Sequence, residues 1–287
     1  MILMSQYAFV EGKDVDDILL DWAFNPEIVL ARLIRASDGR YVLQMRVDLG
    51  LLQMEISHRP DGMTPFGFKT YLAYLNHEAA KQKGQFALQP EHWNEAFREL
   101  RQFSQRRHCW LALGFYANVV QDADHSLALM DFLQCHLAEK VSPKMVKGEQ
   151  AVGSVAGEFD RTLVVLQRIQ ATTMLVLHSQ GPLFALNEIT AGIRQILELA
   201  RKNPGEKMSG KKSLTEEGGS SDNHVDWKID QLLEMKQKIQ HQYGLASSYE
   251  EHLEEAVRRE DYESAARLRD LIRRTDCSFS RYTANYQ

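Results

Sequence analysis

The chain has 287 residues, 44% hydrophobic and 25% charged, with a formal net charge of −5. That is enough for one large domain or two small ones with a sizeable core. The slight acidic excess argues against a surface that generally coats nucleic acid, which needs surplus Lys and Arg to displace counterions from phosphates. The three cysteines, Cys109, Cys135 and Cys277, are far apart and form no CxxC pair, so neither a disulfide framework nor a zinc site can be read from them. Free thiols in a reducing compartment are expected. Met1 to Phe9 carries no basic n-region, and no window approaches eighteen uninterrupted apolar residues, so a soluble cytoplasmic protein without membrane contact is expected.

Residues 28 to 56 read as strands: Ile28 to Ile34, Tyr41 to Val47, and Leu51 to Ile56 are rich in β-branched and apolar side chains. Asp38-Gly39 suits a tight hairpin, and Asp48-Leu49-Gly50 marks a second reversal or a bulge. The implied arrangement is a three-stranded antiparallel meander. Leu43-Gln44-Met45 and Leu52-Gln53-Met54 repeat one pattern, with Leu and Met on a face that should be buried and Gln on the other. His58-Arg59-Pro60-Asp61-Gly62 and Thr64-Pro65-Phe66-Gly67 form a turn-rich loop. A helix starting near Phe68 would pack Tyr71, Leu72, Tyr74 and Leu75 on the sheet.

From Glu91 to about Ala200 the spacing becomes helical, as in Trp93, Ala96, Phe97 and Leu100. Two bends, at Leu113-Gly114 and at Ser179-Gln180-Gly181-Pro182, divide this region into helical hairpins. Both resemble degenerate tetratricopeptide hairpins, in which Gly at the bend and small residues such as Ala123 and Ala185 permit close approach. Two are too few for a free solenoid, so they are expected to pack on the sheet.

Residues 202 to 224 offer almost nothing to bury and read as a flexible linker. The segment after it is expected to be an independent helical tail. Its first helix runs from about Val225 to Tyr243, with Ile229, Leu232, Leu233, Met235 and Ile239 apolar and Gly244 as C-cap. A hairpin comes next, with Leu253, Ala256 and Val257 on its first arm. Glu260-Asp261 makes the bend, with Asp261 as the cap of a second arm that carries Tyr262, Ala265, Ala266, Leu268 and Ile272.

Here the resemblance is specific. Residues 254 to 273 are similar to the UVR motif, which in essence reads aromatic-Glu-x-Ala-Ala-x-x-Arg-Asp-x-Ile, and Tyr262, Glu263, Ala265, Ala266, Arg269, Asp270 and Ile272 match in register. In that family such hairpins pair with like hairpins, as between the excision-repair subunits UvrB and UvrC, and recur in arginine-kinase regulators and Clp-type unfoldases. The resemblance therefore implies a partner-binding site at Leu253, Ala256, Val257, Tyr262, Glu263, Ala265, Ala266, Arg269, Asp270 and Ile272. Another UVR protein or a second copy is the implied partner. It transfers an interaction mode and no reaction: the chain has no G-x-x-x-x-G-K-[ST] loop and lacks the CxxC pairs of the kinase activators.

Local chemistry is thin. His58, Arg59 and Asp61 are the most enzyme-like cluster, but Pro-Asp-Gly explains itself as a turn. Asp122, Asp124 and His125 are read as a solvated helix face rather than a metal site. Arg106, Arg107 and His108 are read as a wet helix face rather than a phosphate contact. No catalytic residue, cofactor or metal is expected, and the protein is read as a non-enzyme.

The expected architecture is α+β. Residues 1–90 form a small antiparallel β-meander plus helix, and 91–201 form helical hairpins packed with it. Residues 202–224 are the linker, and 225–287 are a helical region with the UVR motif at about 248–274. The expected role is an interaction adaptor linked to nucleotide excision repair or protein quality control. The alternative is a DNA-binding or DNA-damage accessory protein touching nucleic acid through Arg258, Arg259, Arg267, Arg273 and Arg274, which is open but not favoured.

Overall fold

The computed structural model describes residues 15–20, 22–82, 86–136, 160–202, 223–245 and 249–271. The linker assigned to 202–224 lies almost wholly outside them. After a short helix, α1 (Val15–Leu19), the chain forms β1 (Ala31–Arg35), β2 (Tyr41–Val47) and β3 (Gly50–Glu55). They make an antiparallel sheet of order β1-β2-β3. Gly39 has φ +88° and closes the first hairpin, where Ala36 N–H donates to Arg40 C=O at 2.8 Å. The Asp48-Leu49-Gly50 segment is a reversal, since Val47 pairs with Gly50 across a two-residue turn.

Alternation along the strands puts Leu33, Leu43 and Met54 in one row and Ala31, Met45 and Leu52 in the next. Leu43 and Met54 are buried against Cys109, Trp110, Val119 and Ala171, which come from three different helices. The opposite face carries a polar row: Gln44 accepts from Arg32 Nε at 2.8 Å and donates to Gln53 at 3.0 Å. The Arg32 guanidinium lies 4.1 Å from the centre of the Trp22 ring.

A short 3-10 turn (Pro65–Gly67) leads into α2 (Tyr71–Lys81), whose N-cap Thr70 accepts from Ala73 N–H at 3.2 Å. The next helices are α3 (Pro90–Leu113) and α4 (Tyr116–Cys135). Contrary to the sequence expectation, Tyr71, Leu72 and Leu75 do not cover the sheet. They pack with Leu100 of α3 and Leu129 and Phe132 of α4. The reason is a buried carboxylate: Glu99 of α3 accepts from Tyr71 N–H at 2.5 Å and Leu72 N–H at 3.1 Å. It thereby satisfies free donors of the first turn of α2 and ties that turn to α3.

The α3–α4 bend is a Schellman turn. Gly114 sits at φ +74°, Phe115 N–H donates to Trp110 C=O at 2.9 Å and Gly114 N–H to Leu111 C=O at 3.1 Å. A second hairpin joins α5 (Arg161–Ser179) to α6 (Pro182–Lys202) through Gly181 at φ +99°. Asp160 caps α5, accepting from Thr162 N–H at 2.8 Å and Leu163 N–H at 3.2 Å. Helix α5 is central, giving Ala171 to the sheet-side core and Val165, Leu166 and Ile169 to the core shared with α6.

The helix α7 (Asn223–Tyr243) corrects the expectation of an independent tail. Its Leu232 and Ile239 are buried in one cluster with Val165, Ile169, Leu186 and Ile189. Leu233, placed in its apolar set from spacing, is instead largely exposed. Lys228 is fully buried and ion-paired to Asp160, and its ammonium also donates to the Thr162 hydroxyl. An apolar stripe needs a surface to cover it, and α5 with α6 supplies that surface. The fold is α+β, with a three-stranded antiparallel sheet against a stack of helices.

Candidate functional site: the C-terminal helical hairpin

Beyond α7, which ends at Gly244 in the left-handed region (φ +64°), the chain forms α8 (Tyr249–Arg258) and a last described helix, α9, over 262–271. The bend between them is a second Schellman turn, with Asp261 N–H donating to Ala256 C=O at 2.9 Å and Glu260 N–H to Val257 C=O at 3.1 Å. The left-handed position, usually glycine, is here Glu260 at φ +59°. Asp261 then caps α9, accepting from Ser264 N–H at 3.1 Å. Hydrogen bonds from Ser264 hold the Asp261 carboxyl below the usual carboxylate range.

Among the described hairpin residues, Ala256 and Ala265 are the buried ones, one on each arm. Leu253, Ala266, Leu268 and Leu271 are half-buried. Small side chains at the inner positions let the two helix backbones come close. Residues 245–274 match the family model described as the UvrB/uvrC motif. A search of the curated proteins and a search of the solved structures each returned no match.

The UVR motif occurs in nucleotide excision repair proteins and is used there for protein interactions. In this chain it presents two large apolar side chains to solvent: Val257 is 52% exposed and Tyr262 69% exposed. Spacing alone put both in the apolar stripe of the hairpin, and the structure places them outward on either side of the bend. Glu263, Arg269 and Asp270 are exposed as well. Ile272 lies outside the described residues, as do Arg273 and Arg274.

The arginines considered for DNA contact are engaged within the hairpin. Arg258 and Arg259 pair with Glu255 at 2.9 and 2.7 Å, and Arg267 pairs with Glu263. The pairs are exposed and one helical turn apart, so each contributes only a few tenths of a kcal/mol. They do, however, offset positive charge that phosphate binding would use.

The left-handed Glu260 yields a direct expectation. A non-glycine residue costs roughly 1–2 kcal/mol in that region, so Glu260→Gly should stabilise the hairpin by up to about 1 kcal/mol after the entropy glycine loses on folding. Slower hydrogen exchange of the Glu260 and Asp261 amides would register this. Unchanged or faster exchange would contradict it.

The chemistry weighed elsewhere in the sequence comes together at one buried polar cluster. Two readings are corrected there. Arg106 and Arg107 are not a wet helix face: both are almost fully buried. Arg106 makes a bidentate pair with Asp122, at 2.6 and 2.9 Å, and donates to the Glu55 and His58 carbonyls, each at 2.9 Å. Asp122 is therefore no solvated residue either. Arg107 donates to Gln167 at 2.6 Å and Ser126 at 3.0 Å, and its burial, partly offset by Asp122, pushes its pKa down to about 10.

Near it, Arg59 is buried against Asp61 and Glu95, each at 3.1 Å, while His125 meets Glu99 at 2.9 Å and stacks on Phe103. Asp124 pairs with Arg168 at 2.6 Å, away from Asp122. The His58–Gly62 loop is thus a turn clamped to α3. Glu99, Arg106 and Arg107 occupy the same helical phase as Ala96, Leu100, Phe103 and Trp110. That phase was the signal in the sequence that could have marked them as inward-facing.

Among the described residues no group of His, Cys, Asp and Glu could hold a metal ion, and no helix is long and apolar enough to cross a membrane.

Proposed function

We propose that this protein is a non-catalytic adaptor whose UVR hairpin docks on another UVR hairpin, in a partner protein or in a second copy. The observation that carries the reading is the open apolar pair at the bend. Val257 and Tyr262 project into solvent from a hairpin whose own inner positions are filled by Ala256 and Ala265. An exposed aromatic beside an aliphatic residue on a small rigid unit is the usual make-up of an interface anchor. A helical pair this short also buries too little surface to be stable by itself. The arginine–glutamate pairs within the hairpin favour protein over nucleic acid as the partner.

The motif's occurrence in excision-repair proteins supports a setting in DNA repair, with protein quality control as the second setting. A cytoplasmic location fits both. Tyr262→Glu in the full chain should abolish capture of the partner by affinity purification and mass spectrometry, while the thermal unfolding midpoint stays within about 2 °C, as befits an exposed position. Ala265→Glu should also abolish it by wedging the arms apart. Capture by Tyr262→Glu equal to the native chain would defeat the proposal.

A further inference from the structure

We infer that the outer edge of β1 pairs antiparallel with β1 of a second copy of this chain, with Leu33 at the two-fold axis. This goes beyond the hairpin and does not rest on it. In the meander, Arg46 N–H donates to Leu30 C=O and Ala36 N–H to Arg40 C=O. Residues 30, 32, 34 and 36 therefore face β2, and by the alternation of an antiparallel ladder Ala31, Leu33 and Arg35 aim their N–H and C=O groups away from the sheet.

Among the described residues none bonds to those outward backbone groups. By contrast, the free side of β3 is partly covered: Glu55 N–H donates to Pro60 C=O at 2.8 Å, and Glu55 C=O accepts from Arg106. The open edge of β1 is also apolar, with Leu33 36% exposed and Ile28 and Val29 exposed just before the strand. Unpaired edges of this kind template pairing with another strand.

The side chains select the occupant and the register. Centred on Leu33, a self-pair uses the whole of Ala31–Arg35 and brings Leu33 against Leu33 of the second copy. Arg35 then falls opposite Ala31 and Arg32 opposite Ile34, so no like charges oppose one another. Centring on Arg35 would set two guanidiniums face to face. Centring on Ala31 would place Leu33 against Val29, which lies before the strand begins. The Leu33-centred register makes all three outward residues of each copy hydrogen-bonded and joins two three-stranded sheets into one of six.

The test uses the full chain carrying Tyr262→Glu, which removes the hairpin interface, and reads mass by sedimentation equilibrium. A dimer is expected. Adding Leu33→Lys or Leu33→Glu should each weaken it by about tenfold or more, because residue 33 opposes its own copy. An equimolar mixture of the two variants should restore the dimer, since Lys then faces Glu. That rescue also shows that both variants are folded. A monomeric Tyr262→Glu chain, a dimer unaffected by Leu33→Lys, or a mixture that stays monomeric would each overturn the inference. None of these outcomes bears on partner capture by the native hairpin.

Discussion

Replacing Asp160 by alanine should destabilise the protein by about 3–5 kcal/mol, because it leaves the Lys228 ammonium buried without its counter-charge. Lys228 has no exposed surface, and Asp160 is its carboxylate partner. The same change removes the cap of α5, since Asp160 also accepts from Thr162 and Leu163 N–H. Lys228→Met should cost less, because Asp160 keeps its amide partners and the new side chain adds apolar volume to the α5–α6–α7 core.

For Asp160, burial alone would raise the pKa, but hydrogen bonds from Lys228 and Thr162 and the charge of Lys228 outweigh it, and the carboxyl is held below the ordinary range. That direction fixes the sign of the pH effect. A group with a depressed folded pKa adds stability that is fully present above the unfolded value of about 3.9 and is lost as pH falls through the folded one. Urea unfolding from pH 7 down to pH 2 should therefore show a loss below about pH 4 that Asp160→Ala lacks. Equal acid sensitivity of the two proteins would refute the assignment, and so would Asp160→Ala costing no more than Lys228→Met.

Gly192→Ala should also destabilise, by about 1–3 kcal/mol, although alanine is the better helix former by about 1 kcal/mol. A Cβ at Gly192 would lie 2.5 Å from Ile169 Cγ2 and 2.9 Å from Cδ1. Ile169 is itself packed in the α5–α6–α7 core, so it has little room to withdraw. The signature is non-additivity. Ile169→Ala alone should cost about 2–5 kcal/mol, and adding Gly192→Ala to it should cost nothing more or recover part of the loss. Fully additive effects in chemical denaturation would show that the helices do not touch at this point.

How much was legible in the sequence depended on whether a residue's role was local. The Asp38-Gly39 turn, the Gly114 and Gly244 caps and the Asp261 cap were readable, because each answers to backbone geometry within a few residues. The UVR resemblance at Tyr262 to Asp270 was readable for a similar reason, since its register is short and continuous. The partners of Glu99, Arg106, Asp122 and Lys228 were not, because each lies on another element. An Arg in a helix looks solvated until the helix that brings its carboxylate is in place. The same holds for Gly192, where nothing nearby in the sequence announces Ile169.

By itself the sequence determined the elements: three strands whose alternation buries Leu43 and Met54, amphipathic helices with their caps, and a hairpin with alanines at its inner positions. Periodicity and turn chemistry are properties of neighbours along the chain, so one chain suffices to read them. Only the tertiary structure decided that α2 sits on α3 and α4, that α7 closes the core over α5 through Lys228 and Asp160, and that Val257 and Tyr262 of the stripe face outward. Those outcomes turn on which buried charge finds a partner and which apolar surface is left uncovered, and they are settled only when distant segments meet.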